Sequence, residues 1–102
     1  MAIRHTVIFT FYDTTTAEQK ADVITRLNDM GVYLTRELGV SEWNVSSHIP
    51  ETFNSRRAHL LQDCVFPNLD ALQAHAQCEP HAKVIELTPK VCDWMTIDTN
   101  ID

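Results

Sequence analysis

Residues 3–11 alternate without interruption, with Ile3, His5, Val7, Phe9 and Phe11 on one side and Arg4, Thr6, Ile8 and Thr10 on the other. A two-residue repeat marks a strand with one buried face, and it places His5 on the core side. The period then changes. Val23, Ile24, Leu27, Met30, Leu34 and Leu38 recur at intervals of three and four, with Lys20, Asp22, Arg26, Asp29 and Arg36 opposite, which is the stripe of an amphipathic helix. The switch between these two periods constrains the fold more than any other feature, because each element must bury its apolar side against an element of the other kind.

The boundaries follow from local chemistry. Thr15-x-x-Glu18 and Thr16-x-x-Gln19 are overlapping capping boxes that predict a helix start near Ala17. Gly39 reads as the C-terminal cap and Gly31 as a weak point inside the helix. Residues 41–48, with Trp43, Val45 and Ser47 alternating, predict a short edge-like strand ended by Pro50, and 51–57 a polar hairpin-like loop. Residues 58–66 predict a third strand of ambiguous facing: Leu60, Gln62, Cys64 and Phe66 share one side, His59, Leu61, Asp63 and Val65 the other.

Pro67-Asn68 supplies a turn and an N-cap for a second helix carrying Leu69, Leu72 and Ala76. Its course is interrupted at Glu79-Pro80, where proline suits the first residue of a fresh turn, and Val84, Ile85 and Leu87 continue the apolar side to Thr88-Pro89. Residues 91–98 alternate as a last strand, and 99–102 read as a frayed acidic tail. The order β-α-β-β-α-β predicts an α+β, ferredoxin-like fold, a four-stranded antiparallel sheet with both helices on one face. The other face, expected to carry Trp94 and Val65, is left for a second copy to cover.

At 102 residues the chain is one domain, 1–102, whose small core spares little volume for a cavity; association with a twin recovers burial. Eight Lys and Arg against 14 Asp and Glu give a formal charge of −6, which argues against nucleic acid and anionic membranes as partners. The only adjacent basic pair is Arg56-Arg57, in the predicted loop. No apolar run approaches the roughly 18 residues of a membrane span. Met1-Ala2-Ile3-Arg4 leads directly into strand-like sequence, so the expected location is cytoplasmic. Cys64, Cys78 and Cys92, evenly and widely spaced, fit neither a disulfide frame nor a zinc ribbon and read as free thiols.

The chain holds five histidines, and their placement matters more than their number. His5 is on the inner face of the first strand; His75 and His81 flank the break in the second helix. Because the helices cover the face that carries His5, the three can converge on one cavity between helices and sheet. Neutral imidazole exchanges protons near neutral pH, which suits proton transfer or enolisation beside a carbonyl. The plainer reading of each is a buried ring that donates to a backbone carbonyl. A metal site is disfavoured, because no H-x-x-x-H or H-E-x-x-H register exists. Cys78 has no adjoining base that would make it a nucleophile. The absence of a Gly-rich phosphate loop and of a G-x-S-x-G elbow excludes nucleotide-driven and serine-hydrolase chemistry.

The opening Ile3-Arg4-His5-Thr6-Val7-Ile8-Phe9-Thr10-Phe11, the Thr16-Ala17-Glu18-Gln19-Lys20 helix start, Phe66 before a helix, His75-x-x-Cys78-Glu79-Pro80-His81 and the terminal Ile97-Asp98 together resemble the stress-responsive A/B barrel family of dimeric α/β barrels. The resemblance spans essentially the whole chain. It implies a homodimer closed sheet against sheet, with a small-molecule pocket in each protomer walled by Val7, Phe9, Val23, Ile24 and Leu27, and it implies no cofactor.

Family members include stress proteins without assigned catalysis and a polyketide cyclase of aldol type. In the cyclase, the last histidine of a Y-x-x-H-P-x-H segment is the base and the tyrosine assists it. Carried over by position, the base falls on His81, and His5 matches a pocket histidine of the first strand. His75 stands where the tyrosine would be, Cys78 replaces the first histidine, and proline is displaced by one. A catalytic set of His81, His75 and His5 is thus expected to run acid–base chemistry of cyclase, lyase or isomerase type. The alternatives are a non-enzymatic stress or ligand-binding protein and a cofactor-free monooxygenase-like enzyme of the same architecture.

Overall fold

The computed structural model describes residues 1–54 and 57–101, so Arg56 of the basic pair and Asp102 of the tail lie outside the described residues. The elements are β1 (Ala2–Phe11), α1 (Ala17–Leu38), β2 (Ser41–Ser47), β3 (Leu60–Phe66), α2 (Leu69–His75), α3 (Glu79–Val91) and β4 (Cys92–Ile101). The sheet runs β2-β3-β1-β4 and every pair is antiparallel. This is the ferredoxin-like α+β arrangement.

The strict alternation of β1 is matched by its burial: every odd-numbered residue from Ile3 to Phe11 is buried and every even-numbered one is partly open. The odd face meets the helices. Val23, Leu27, Met30 and Leu34 of α1 pack there with Phe66, Val84 and Val91, and each such side chain contributes roughly 1.5–3 kcal/mol on leaving water. Of the two overlapping capping boxes, the Thr16 pair forms. Thr16 Oγ1 accepts from the Gln19 amide at 3.1 Å, and the Thr16 amide donates to Gln19 Oε1 at 2.8 Å. Thr15 is instead turned to the Val91 carbonyl. Gly39 closes α1 in the left-handed region, φ 69°.

Gly31 is more than a weak point. Its missing side chain is the seat of the Trp43 indole, which a Cβ at that position would overlap. The tolerance of the helix for glycine here comes from this close approach.

The facing of β3 is settled by register. Val7 pairs with Gln62 and His5 with Cys64, so Leu60, Gln62, Cys64 and Phe66 face the helices. The same argument corrects two expectations. Trp94 pairs with Phe9 and Thr96 with Val7, so Trp94 lies on the helix face; the residues beside Val65 on the outer face are Ile8, Leu61, Met95 and Ile97. The segment 99–101 is not frayed but paired, Thr99 with Arg4, Asn100 with Ile3 and Ile101 with Ala2, because β1 is ten residues long and offers partners to its end.

The second helix is two helices. In α2 the buried residues are Ala71 and His75, whereas Leu69 and Ala76 are exposed. Beyond His75 the chain tightens through Gln77 and Cys78, whose amides donate three residues back. Cys78 then caps α3, and Pro80 falls in its first turn, where a missing N–H costs nothing. α3 continues through Pro89 to Val91, with Val84, Thr88 and Val91 as its buried residues, so the stripe turns away from Ile85.

Candidate active site

The helix face of the sheet presents three successive rungs across β3, β1 and β4: Leu60, Phe9 and Trp94; Gln62, Val7 and Thr96; Cys64, His5 and Asp98. Above them α3 carries His81, Val84 and Thr88, spaced three and four apart and so on one helix face. Between these layers lies a cavity of about 210 Å3, walled by His5, Val7, Phe9, Leu27, Met30 and Trp94 with Gln62, His75, His81, Val84, Ile85, Thr88 and Thr96. The expected wall residues Val7, Phe9 and Leu27 line it. Val23 is buried in the core and Ile24 packs against that core, both away from the wall.

The three histidines lie in series. The ring of His75 is 5.3 Å from that of His5 and 5.1 Å from that of His81, edge to face in both cases. Phe66 seals the base of the set, 5.6 Å from His5 and 4.9 Å from His75. The helix break produces this series, because it ends α2 at His75 and restarts the chain so that His81 is the third residue of α3.

Each ring has a different partner. His5 Nδ1 lies 2.6 Å from Asp98 Oδ1; a carboxylate only accepts, so Nδ1 carries a proton. His75 Nδ1 donates to the Leu72 carbonyl one turn back, which fixes the Nδ1 tautomer. Among the described residues His81 has no hydrogen-bond partner, so both of its ring nitrogens remain for a ligand or water. Burial pushes His75 below the ordinary histidine range, with His5 and His81 adding to the effect and the Leu72 carbonyl opposing it. Burial, and then the neighbouring His5, do the same to His81. Both are therefore neutral bases at neutral pH.

His59 stands outside the cavity. Its Nδ1 accepts from the Phe11 amide at 2.9 Å and its ring stacks on Phe11, a structural role at a strand end. Burial raises the thiols of Cys64 and Cys92 to about 11, which makes them inert packing groups. Among the described residues no three His, Cys, Asp or Glu side chains are grouped to hold a metal ion, and no helix is long and apolar enough to cross a membrane.

Sequence reasoning did not single out Asp98, Gln62, Thr88 or Trp94 as site residues. For Asp98 and Trp94 the missing information was the register of β4 against β1. Gln62 and Thr88 did carry a signal, as polar residues set into apolar stripes.

Fold and cavity together define a ferredoxin-like α+β protein with a histidine series between sheet and helices. The chain belongs to the stress responsive A/B barrel domain family, whose model matches residues 3–101. No curated protein matches it. Among solved structures, it resembles a dimeric ferredoxin-like protein of unknown function from Thermobifida fusca (TM-score 0.80, 20% identity, 99% of this chain and 92% of that one). It also resembles a Dabb family protein from Mesorhizobium loti (TM-score 0.68, 20% identity, 98% and 96%). A third similar structure is the hydroxynitrile lyase of Passiflora edulis (TM-score 0.81, 12% identity, 99% and 94%). At these identities the likeness is one of fold.

Proposed function

We propose that the chain forms a homodimer in which each protomer's cavity takes a small carbonyl-bearing or aromatic molecule. There the histidine series moves protons on that molecule without a cofactor, in a reaction of cyclase, lyase or isomerase type. The observation that carries this reading is the series itself: three imidazoles, two of them kept neutral by burial, beside apolar walls. Two titratable rings held neutral beside apolar walls are suited to proton abstraction beside a carbonyl.

His81 is the base, because it alone of the three has both ring nitrogens uncommitted. It takes a proton from the carbon next to the carbonyl; the C–H electron pair becomes the enolate double bond and the negative charge moves to oxygen. Returning the proton, or forming a new carbon bond there, completes the step. His5 is oriented by Asp98 toward the series, and His75 holds the two rings apart and in line. The hydroxynitrile lyase of this fold supports the lyase option. Dimerisation is supported by the outer sheet face, where Met95 and Ile97 are 64% and 60% exposed, and by the dimeric Thermobifida fusca protein.

The test is exchange of the methyl protons of acetophenone for deuterium in heavy water, followed by NMR. The wild-type chain should accelerate exchange and His81→Ala should return it to the buffer rate. Equal rates in the two proteins would remove His81 as the base. One arrangement favours a second reading: His75 is sealed against the Leu72 carbonyl as a purely structural histidine would be. Binding without any exchange would leave a ligand-binding protein.

A further inference from the structure

Two polar atoms in the cavity wall have no partner. Gln62 and Thr88 are each 1% exposed, and neither Gln62 Nε2 nor Thr88 Oγ1 makes a hydrogen bond. The Gln62 side chain interacts with the Cys64 thiol, two residues along the same strand face, and sulfur is at best a weak acceptor. Thr88 is inside a helix, where a threonine hydroxyl ordinarily turns back to the carbonyl four residues earlier; here it does not. An unmade hydrogen bond at a buried donor is costly, and a native core carries few of them. Both residues line the same cavity, one from the sheet and one from the helix above it.

We infer that Gln62 and Thr88 are the specificity-determining donors of this cavity, and that they receive the oxygen of a ligand whose carbon body fills the apolar remainder. The inference rests on the proposed function for the location of the site and adds what the site recognises. Phe9, Leu27, Met30, Val84 and Trp94 offer that body no polar contact except at the Trp94 indole nitrogen. A cavity of about 210 Å3 exceeds the roughly 150 Å3 that holds benzene, leaving room for a ring and a short oxygen-bearing substituent. The ligand class is a monocyclic aryl carbonyl compound. Placed on these donors, its oxygen meets N–H and O–H groups where charge gathers when His81 removes the neighbouring proton.

The experiment is NMR titration of the full chain with acetophenone and with ethylbenzene, which has the same carbon skeleton without the oxygen. The wild-type chain should prefer acetophenone by about tenfold, the worth of one to two neutral hydrogen bonds. Gln62→Leu and Thr88→Val should each reduce the preference, and the double variant should abolish it, while ethylbenzene binds as before. The melting temperature should hold or rise, because an unpaired polar group has been replaced by an apolar one of similar shape. If Gln62→Leu does not fold, Thr88→Val reads the preference alone.

A wild-type chain that binds neither probe, or both equally, overturns the inference, as does a full preference in the double variant. Equal binding is also the result if the two atoms merely hold a buried water. His81→Ala should keep the preference. Preference without deuterium exchange would therefore defeat the catalytic reading alone, and exchange without preference would defeat this one alone.

Discussion

Asp98 Oδ1 lies 2.6 Å from His5 Nδ1, although 93 positions separate the two residues. They meet because β4 pairs with β1 in a register that sets them directly opposite. An edge strand thus decides which nitrogen of a histidine on an interior strand carries a proton, and it aims the ring along the series to His75 and His81.

The first prediction tests that pair. Nitrogen NMR should show His5 protonated at Nδ1 in the wild-type chain and a changed tautomer in Asp98→Asn. Acetophenone exchange should fall, but by less than the roughly 10⁴-fold lost when the carboxylate that orients a catalytic base becomes an amide, because Asp98 orients His5 and the base is His81. Because Asp98 is partly open to solvent, circular dichroism should show the fold intact. An unchanged tautomer would mean that Asp98 does not orient the ring.

The second concerns pH. His75, His81 and His59 are all lowered, chiefly by burial. Below the unfolded value of about 6.5 the unfolded chain takes up protons that the folded chain refuses. Stability should therefore be fully present above that value and be lost as pH falls through the lower folded values. Urea midpoints at a series of pH values should decline on the acid side of 6.5, and the decline should be shallower in His75→Phe. The exchange rate should fall over the same acid range as His81 protonates. A rate that rises with acid would contradict a neutral base.

The third is a helix substitution that should act against propensity. Alanine favours a helix interior over glycine by about 1 kcal/mol, yet Gly31→Ala should destabilise, because its Cβ would overlap the Trp43 indole. Displacing a packed ring costs roughly 1–3 kcal/mol. The check is urea unfolding with Trp43 fluorescence, and a stabilised variant would show that the indole yields freely.

The fourth addresses the outer sheet face. Ile8, Leu61, Val65, Met95 and Ile97 share it, and Ile97→Asp buries a charge in any dimer formed there. Sedimentation should show a species of twice 11.7 kDa for the wild type and a single-chain mass for the variant. Its thermal stability should be lower and should no longer depend on concentration. A wild-type chain that sediments only as a single chain would exclude the dimer.

The candidate site was partly legible in the chain. His5 could be placed on the core face because β1 is apolar on one side only, and the approach of His75 and His81 followed from the proline that restarts the helix. Trp94 falls on the wrong face in the sequence reading. Both faces of β4 carry apolar residues, Cys92 and Trp94 on one and Met95 and Ile97 on the other, so alternation shows that there are two faces without showing which is covered. The α2 stripe was misread for a related reason: seven residues hold too few turns to fix a phase, and His75, a polar residue, proved to be part of its buried side.

By itself the sequence determined the order of the strands, the break in the second helical segment, the capped ends of α1, the inner face of β1 and the family, because periodicity, caps and turn residues act over a few neighbouring positions. Only the tertiary structure decided the rest: that residues 99–101 extend β4, that Trp94 turns inward, that Asp98 orients His5, and that Gln62 and Thr88 stand unpaired around one cavity. These depend on strand register and on how helices seat over the sheet, which are settled by burial summed across the whole molecule; of them only Gln62 and Thr88 leave a local mark, as polar residues in apolar stripes.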